Sequence, residues 1–516
     1  MNWVGPAIAA YCLCAVMLTY AVILRLRCGS WSNPSVVFAL FWGMMTLLPV
    51  FFVPELEPSI AAVAYITAAV LAFGLPALVF DWRPPLDAVA TRYSIRSHSP
   101  FLSSNEAPFL LAVTQTAVLG CMMANVAYQG FSLRDFFVDP FAIGCEYLGY
   151  RYRGAVKPFV LSQVATILNY VAAALAGLIV TQKRSYVFSA GVVLLCLMPS
   201  LYSIAVYADK GTIFLSLALF YGAVVVGRIR NGNTALITWR VIVSVPLVLL
   251  VVSGAIGLAM ANRLAAVCED RQTSKLTTEV VASVVTGDSA PPKGEPAEAG
   301  PAEGGGLKFY VRSYAFGHLF AFSSWFDHRV NGGETLPDHN EPDPPFRPQW
   351  NSPDTPLLYR NPTGPTYGFW TFMALGKYID PAYFTSLSDG YYEEYFTRRG
   401  VIQTNVYTFY RGLINDFTVM GSLAVLMLSG LLFNIVYRRM LLRSFAPLSQ
   451  TLYIFLAGYL YTSYIISLLI WSSVIASSIG TLLMLAFIEH LDQRGGSLTS
   501  AMSRRHWPPG KVREIK

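Results

Sequence analysis

Eleven apolar stretches without a single Asp, Glu, Lys or Arg recur along the chain, at residues 4–24, 35–53, 60–80, 107–128, 159–181, 186–208, 212–227, 241–261, 417–437, 452–470 and 473–488. A helix rises about 1.5 Å per residue, so roughly twenty such residues cross a hydrocarbon layer of about 30 Å. The last two stretches form one apolar run, divided here near Trp471. With 54% hydrophobic and only 13% charged residues, and a mean hydropathy of +0.48, the composition excludes an ordinary soluble protein. The expected fold class is all-α, a polytopic integral membrane helical bundle with one large outward loop.

Eleven spans put the termini on opposite sides, and the charged short segments orient them. Arg25 and Arg27, Arg83, Arg92 and Arg96, Lys183 and Arg184, Arg228, Arg230 and Arg240, and Arg438, Arg439 and Arg443 all fall on one side. The tail joins them through Arg494, Arg504, Arg505, Lys511, Arg513 and Lys516. That side is expected to be cytoplasmic. Residues 1–6 hold no basic n-region and no small-residue cleavage site, so the first span is expected as an uncleaved helix with its N-terminus outside.

The expected organisation is an N-terminal bundle of eight spans over 1–261, an outward loop over 262–411, three spans over 412–488, and a basic tail over 489–516. The loop changes composition along its length. Residues 286–306 are rich in Pro, Gly, Ala and Glu and lack the apolar side chains that offset ordering entropy, so they are expected to be disordered. Residues 309–326 read as an aromatic helix at the interface or packed on the bundle, and 367–379 as a second short apolar helix. Residues 337–365 are proline-dense. The short segment 54–59 holds Glu55 and Glu57 between two prolines, which reads as a rim rather than a catalytic pair.

The loop re-enters the membrane with Arg411 and Asp416, five residues apart at an expected helix start. Charged groups at that depth face a cavity or each other, not lipid. Only Cys145 and Cys268 fall on outward segments, and no spacing rule pairs them. Neither CxxC nor HExxH nor a Walker-type loop occurs, so no metal, no cofactor and no nucleic-acid partner is expected.

Asn33-Pro34 ahead of Phe38 and Phe41-Trp42, then Thr404-Asn405, Tyr407-Thr408, Asp416-Phe417, Gly421 and Gly430, carry a family likeness. On these residues the chain resembles the O-antigen polymerases, Wzy-type oligosaccharide repeat unit polymerases. It departs from them where the family often has Asp-Phe-Gly and this chain has Asp416-Phe417-Thr418. The resemblance implies a membrane glycosyltransferase of the bacterial inner membrane that joins undecaprenyl-diphosphate-linked oligosaccharides at the periplasmic face during lipopolysaccharide or related polysaccharide biosynthesis. Its implied partners are those lipid-linked substrates, the bilayer, and a chain-length regulator and flippase of the same pathway. Lys210 stands where an arginine commonly opens a span, and keeps the charge.

In such a reaction the leaving diphosphate gathers negative charge, and guanidinium groups can hold its oxygens without a metal. Arg312, Arg360, Arg398, Arg399 and Arg411 are the candidates, with Lys210 from the resemblance. Asp416, Glu393, Glu394 or His318 are the candidates for deprotonating the attacking hydroxyl. Plainer readings stand beside these: Arg398-Arg399 as a solvated pair next to Glu393-Glu394, His318 as a hydrogen-bonded core histidine, and Trp350, Tyr367, Trp370, Tyr391 and Tyr392 as an interfacial belt. An O-antigen ligase uses the same donor and is the nearer alternative. A transporter or flippase would place ionisable residues deep within spans, and none lies deep here.

Overall fold

The computed structural model describes residues 4–95, 99–132, 156–182, 184–207, 211–235, 312–330, 365–366, 368–376, 378–379, 395–396, 402–404, 406, 408–442 and 446–505, with isolated positions between 134 and 150 and at 254. The expected segment 286–306 lies outside the described residues, as do all of 337–365 but Pro365 and nearly all of 241–261.

Three helices open the chain: α1 (Val4–Cys28), α2 (Pro34–Phe52) and α3 (Ile60–Gly74), the last continued by a 3-10 turn at Leu75–Leu78. The start of α2 is written in Asn33-Pro34. The Asn33 side chain accepts from the Ser35 amide at 2.9 Å, and proline at the first helical position has no amide left to satisfy. Short helices α4 (Arg83–Ile95) and α5 (Pro100–Ser103) lead into α6 (Glu106–Tyr128), α7 (Val160–Val180), α8 (Tyr186–Tyr207) and α9 (Gly211–Arg230). Within this second group Asn169 of α7 donates to Ser200 of α8 at 3.2 Å and to Ser216 of α9 at 3.1 Å.

From the long segment after α9 come a π-helical turn at Arg312–Phe316 running into α10 (Gly317–Val330), the short helix α11 (Phe369–Gly376), and a two-residue ribbon of β1 (Tyr395–Phe396) antiparallel to β2 (Gln403–Thr404). The chain closes with α12 (Phe409–Leu442), α13 (Pro447–Ser463) and α14 (Ser472–Arg505). These three pack between the two N-terminal groups: α12 on α3, α13 on α9, and α14 on α7. Glycines permit the closest approaches. A side chain at Gly430 would collide with the Phe73 carbonyl, and one at Gly222 with the Ile454 carbonyl.

Among the described residues nine helices are long and apolar enough to cross a membrane. They coincide with nine of the eleven expected stretches, and of the other two one lies outside the described residues. The other, expected at 452–470, is the 17-residue α13, which starts earlier at Pro447 and ends earlier at Ser463. The division of the last apolar run falls where it was expected, with Trp471 preceding α14. That last helix extends through Arg505, so the first part of the basic tail is helical.

The basic helix ends gather at one face. Arg27 bonds the Leu78 carbonyl, Arg230 pairs with Asp492 at 3.5 Å, Asp492 also accepts from Ser99 at 2.8 Å, and Asn231 donates to the Thr181 carbonyl. At the opposite face lie α10, α11, the ribbon and the start of α12, so the loop elements and the basic helix ends of Arg27 and Arg230 occupy opposite ends of the bundle.

Candidate active site at the loop end of the bundle

Aromatic side chains make the floor. Trp42 of α2, Tyr65 of α3, Phe322 and Phe326 of α10, and Phe409 and Tyr410 of α12 lie ring against ring, with Trp42 and Tyr410 centroids 4.5 Å apart. Phe322 and Phe326 therefore pack α10 onto the bundle. Two polar ties hold it there. Arg312 meets Glu55 at 2.8 Å, and the Ser59 hydroxyl donates to Asp327. Glu55 is thus engaged at the rim. The tie is partly exposed and contributes orientation more than stability.

Arg411 lies in the first turn of α12 and is only 3% exposed. Its guanidinium carbon sits 5.8 Å from the Trp325 ring of α10 and 5.4 Å from the Trp370 ring of α11, so the cation is held against two indoles. Thr408 and Asn415 stand three residues before it and four after, on the same helical face. Among the described residues the Thr408 hydroxyl, the Tyr410 hydroxyl and the Asn415 side-chain amide oxygen are buried and take no hydrogen bond. Buried polar atoms in that condition are uncommon and suit a polar ligand.

Asp416 is fully buried, and its hydrogen-bond donors come from α11 and from Thr366 just before it. One oxygen accepts from the Thr366 hydroxyl at 2.6 Å and the Trp370 amide at 3.1 Å, and the other from the Thr371 amide at 2.8 Å. The first amides of any helix lack intrahelical acceptors, and α11 has none of its own to offer, so the carboxylate of α12 serves. Thr366 is fixed again by its amide on the Asn415 carbonyl at 3.0 Å.

Two residues on, Thr418 has φ 65 and ψ 175, a conformation L side chains rarely adopt. Here α12 is broken into a nine-residue leading piece that carries Arg411 and Asp416 and the apolar helix that follows. The expected span from Phe417 to Tyr437 is therefore essentially the helix after the break, and the nine residues before it form a separate leading piece.

His318 is fully buried, its Nε2 3.0 Å from the Met45 carbonyl, and burial pushes the imidazole down to about 4. It is neutral at neutral pH and faces the aromatic floor, with Tyr464 at 5.4 Å. Arg411 and Asp416 are thus brought together through α11, while Arg312 and His318 belong to the seating of α10. Glu393, Glu394, Arg360, Arg398, Arg399 and Lys210 lie outside the described residues. Among the described residues no group of three or more His, Cys, Asp and Glu side chains could hold a metal ion.

No family model matches the chain, and neither does any curated protein or solved structure.

Sequence reasoning missed the roles of Trp325, Trp370 and Thr366. Trp370 read as interfacial, yet it is only 5% exposed and lies over a cation. A signal existed: Phe369-Trp370-Thr371 opens a helix with no carboxylate before it, so its first amides needed an acceptor from elsewhere.

Proposed function

We propose that the chain is a membrane glycosyltransferase that polymerises polyprenyl-diphosphate-linked oligosaccharide repeat units at the face carrying the long loop. The observation that carries this reading is Arg411, a buried guanidinium held between Trp325 and Trp370 where loop elements meet the bundle. In a low-dielectric site such a group stabilises a leaving diphosphate strongly and needs no reorganisation when the charge develops. The glycosidic carbon parts from the donor diphosphate, which leaves with the bonding pair. The acceptor sugar hydroxyl bonds to that carbon and gives its proton to a carboxylate. Of the candidate bases, Asp416 is engaged by three donors and His318 by a carbonyl, so Glu393 and Glu394 carry that role in this reading.

In the same reading residues 241–261 and α13 complete eleven spans, the loop end faces the periplasm, and the basic end faces the cytoplasm of the inner membrane. A periplasm-active reporter is then active at Gly300 and silent at Arg443. The reaction is tested on surface glycan. A strain lacking the chain should carry a single repeat on its lipid anchor, a strain with Arg411→Ala at normal protein level should match it, and Arg411→Lys should recover only part of the ladder, since an ammonium makes no planar two-point contact. Long polymer left on the lipid carrier would indicate a ligase instead, units trapped on the cytoplasmic face a transporter, and a full ladder in Arg411→Ala would remove Arg411 from the reaction.

A further inference from the structure

We infer that Asp416 is a positioning residue that holds the Trp370 indole against Arg411 and takes no proton in the reaction; its functional consequence rests on the reading of Arg411 given above. Arg411 and Asp416 are five residues apart on one helical piece, about 140° around its axis, so neither side chain addresses the other directly. Trp370 joins them. Its amide donates to Asp416 at 3.1 Å, and its ring lies 5.4 Å from the Arg411 guanidinium. A side chain at Gly412, which lies between the two, would come within 3.1 Å of the Trp370 Cβ, so the glycine lets α11 lie close on this turn.

All three donors to Asp416 come from Thr366, Trp370 and Thr371, within six residues of chain. The carboxylate is therefore the seat of α11 as a unit. The far side of that seat is made by Ser467, whose hydroxyl donates to the Thr371 carbonyl at 2.9 Å, and by Ile470 and Trp471 packed against Phe369, Trp370 and Met373. Those contacts restrain α11 from the α13–α14 turn, but Asp416 is what ties the Trp370 backbone to the helix that carries Arg411. Loss of the carboxylate frees the indole to leave the cation while Arg411 itself is unchanged.

Phenylglyoxal, which condenses with accessible guanidinium groups, tests this on the purified full-length protein in detergent, with adducts mapped by mass spectrometry. Arg411 should be protected in the natural protein. Asp416→Asn should raise its labelling about tenfold, the scale of losing a charge-assisted bond, with labelling of Arg312 and helical content unchanged. Trp370→Leu should show the same rise, the two together no more than either alone, and Trp370→Phe, which keeps the amide and an aromatic face, should stay protected. Equal protection of Arg411 in Asp416→Asn and the natural protein overturns the inference, above all if chain growth is nevertheless lost, the pattern of a proton acceptor. Should Asp416→Asn fail to fold, Thr366→Val removes one donor and keeps the packing; a labelling rise of about threefold supports the seat, and no rise overturns it. If Arg411 becomes reactive in Asp416→Asn while the glycan ladder stays full, the positioning stands and the donor-binding role of Arg411 fails.

Discussion

The Asn33 side-chain amide donates to the Asn434 carbonyl oxygen at 3.1 Å, joining two fully buried residues 401 positions apart. Asn434 in turn donates to the Ser35 hydroxyl and the Gly430 carbonyl, each at 2.7 Å, while Ser30 and Ser32 bond Tyr437, and the Tyr453 hydroxyl donates to the Ser32 carbonyl at 2.6 Å. The turn between the first two helices is thereby locked to α12 and α13. Asn434→Ala should cost about 1–3 kcal/mol, because it strands a buried donor of Asn33. The melting temperature of the purified protein reads this, and the Asn33→Ala/Asn434→Ala double variant should lose less than the sum of the single ones.

Gly430 is where α12 lies on the Phe73 carbonyl of α3. Gly430→Ala must force the two helices apart and should cost about 1–3 kcal/mol or more, with a lower melting temperature and reduced yield. Gly120 has nothing within 4 Å of an added Cβ, so Gly120→Ala should be neutral or stabilise by up to about 1 kcal/mol through helix propensity. Equal effects at the two positions would contradict the close packing at Gly430.

Thr418 holds φ 65, a backbone conformation that favours glycine. Its hydroxyl accepts from the Gly421 amide at a long 3.4 Å, a weak cap on the helix that follows. Relief of strain, about 1–3 kcal/mol, outweighs the loss of that cap, so Thr418→Gly should raise thermal stability and Thr418→Val should lower it. A drop in stability on Thr418→Gly would show that the break is not strained.

His318 gives a pH dependence whose sign follows from its burial. Its folded value, about 4, lies below the ordinary 6.5, so between those values the unfolded chain binds the extra proton. Its contribution to stability is complete above pH 6.5 and is lost as the pH falls toward 4, by on the order of 3 kcal/mol in all. Melting curves between pH 7.5 and 4.5 should show that decline, flattened in His318→Gln. A His318→Gln protein with the same slope would assign the acid sensitivity to other groups.

The membrane helices were legible because charge is so costly in hydrocarbon that its absence over twenty residues is hard to mistake. Arg411 and Asp416 stood out for the converse reason. What Asp416 does was not legible, since its donors lie 45 to 50 residues away and only folding brings them to it. The break at Thr418 was hidden because threonine gives no turn signal and the apolar run resumes directly after it. The early start of α13 was missed because Ser449, Gln450 and Thr451 look like loop, yet all three are buried in the bundle. Its early end follows from Ser467, which turns the chain aside to meet Thr371.

The seating of α10 and α11 has a consequence for how this chain can diverge. Asp327 is tied to Ser59 and Thr366 to Asp416, so the stretch of chain between those anchors begins and ends on the bundle. Closing such a stretch costs free energy that grows only with the logarithm of its length, about 0.6 kcal/mol for each doubling. Insertions and deletions there leave Trp325 and Trp370 in register with Arg411, so the region can change length and sequence while the cation between the indoles stays in place.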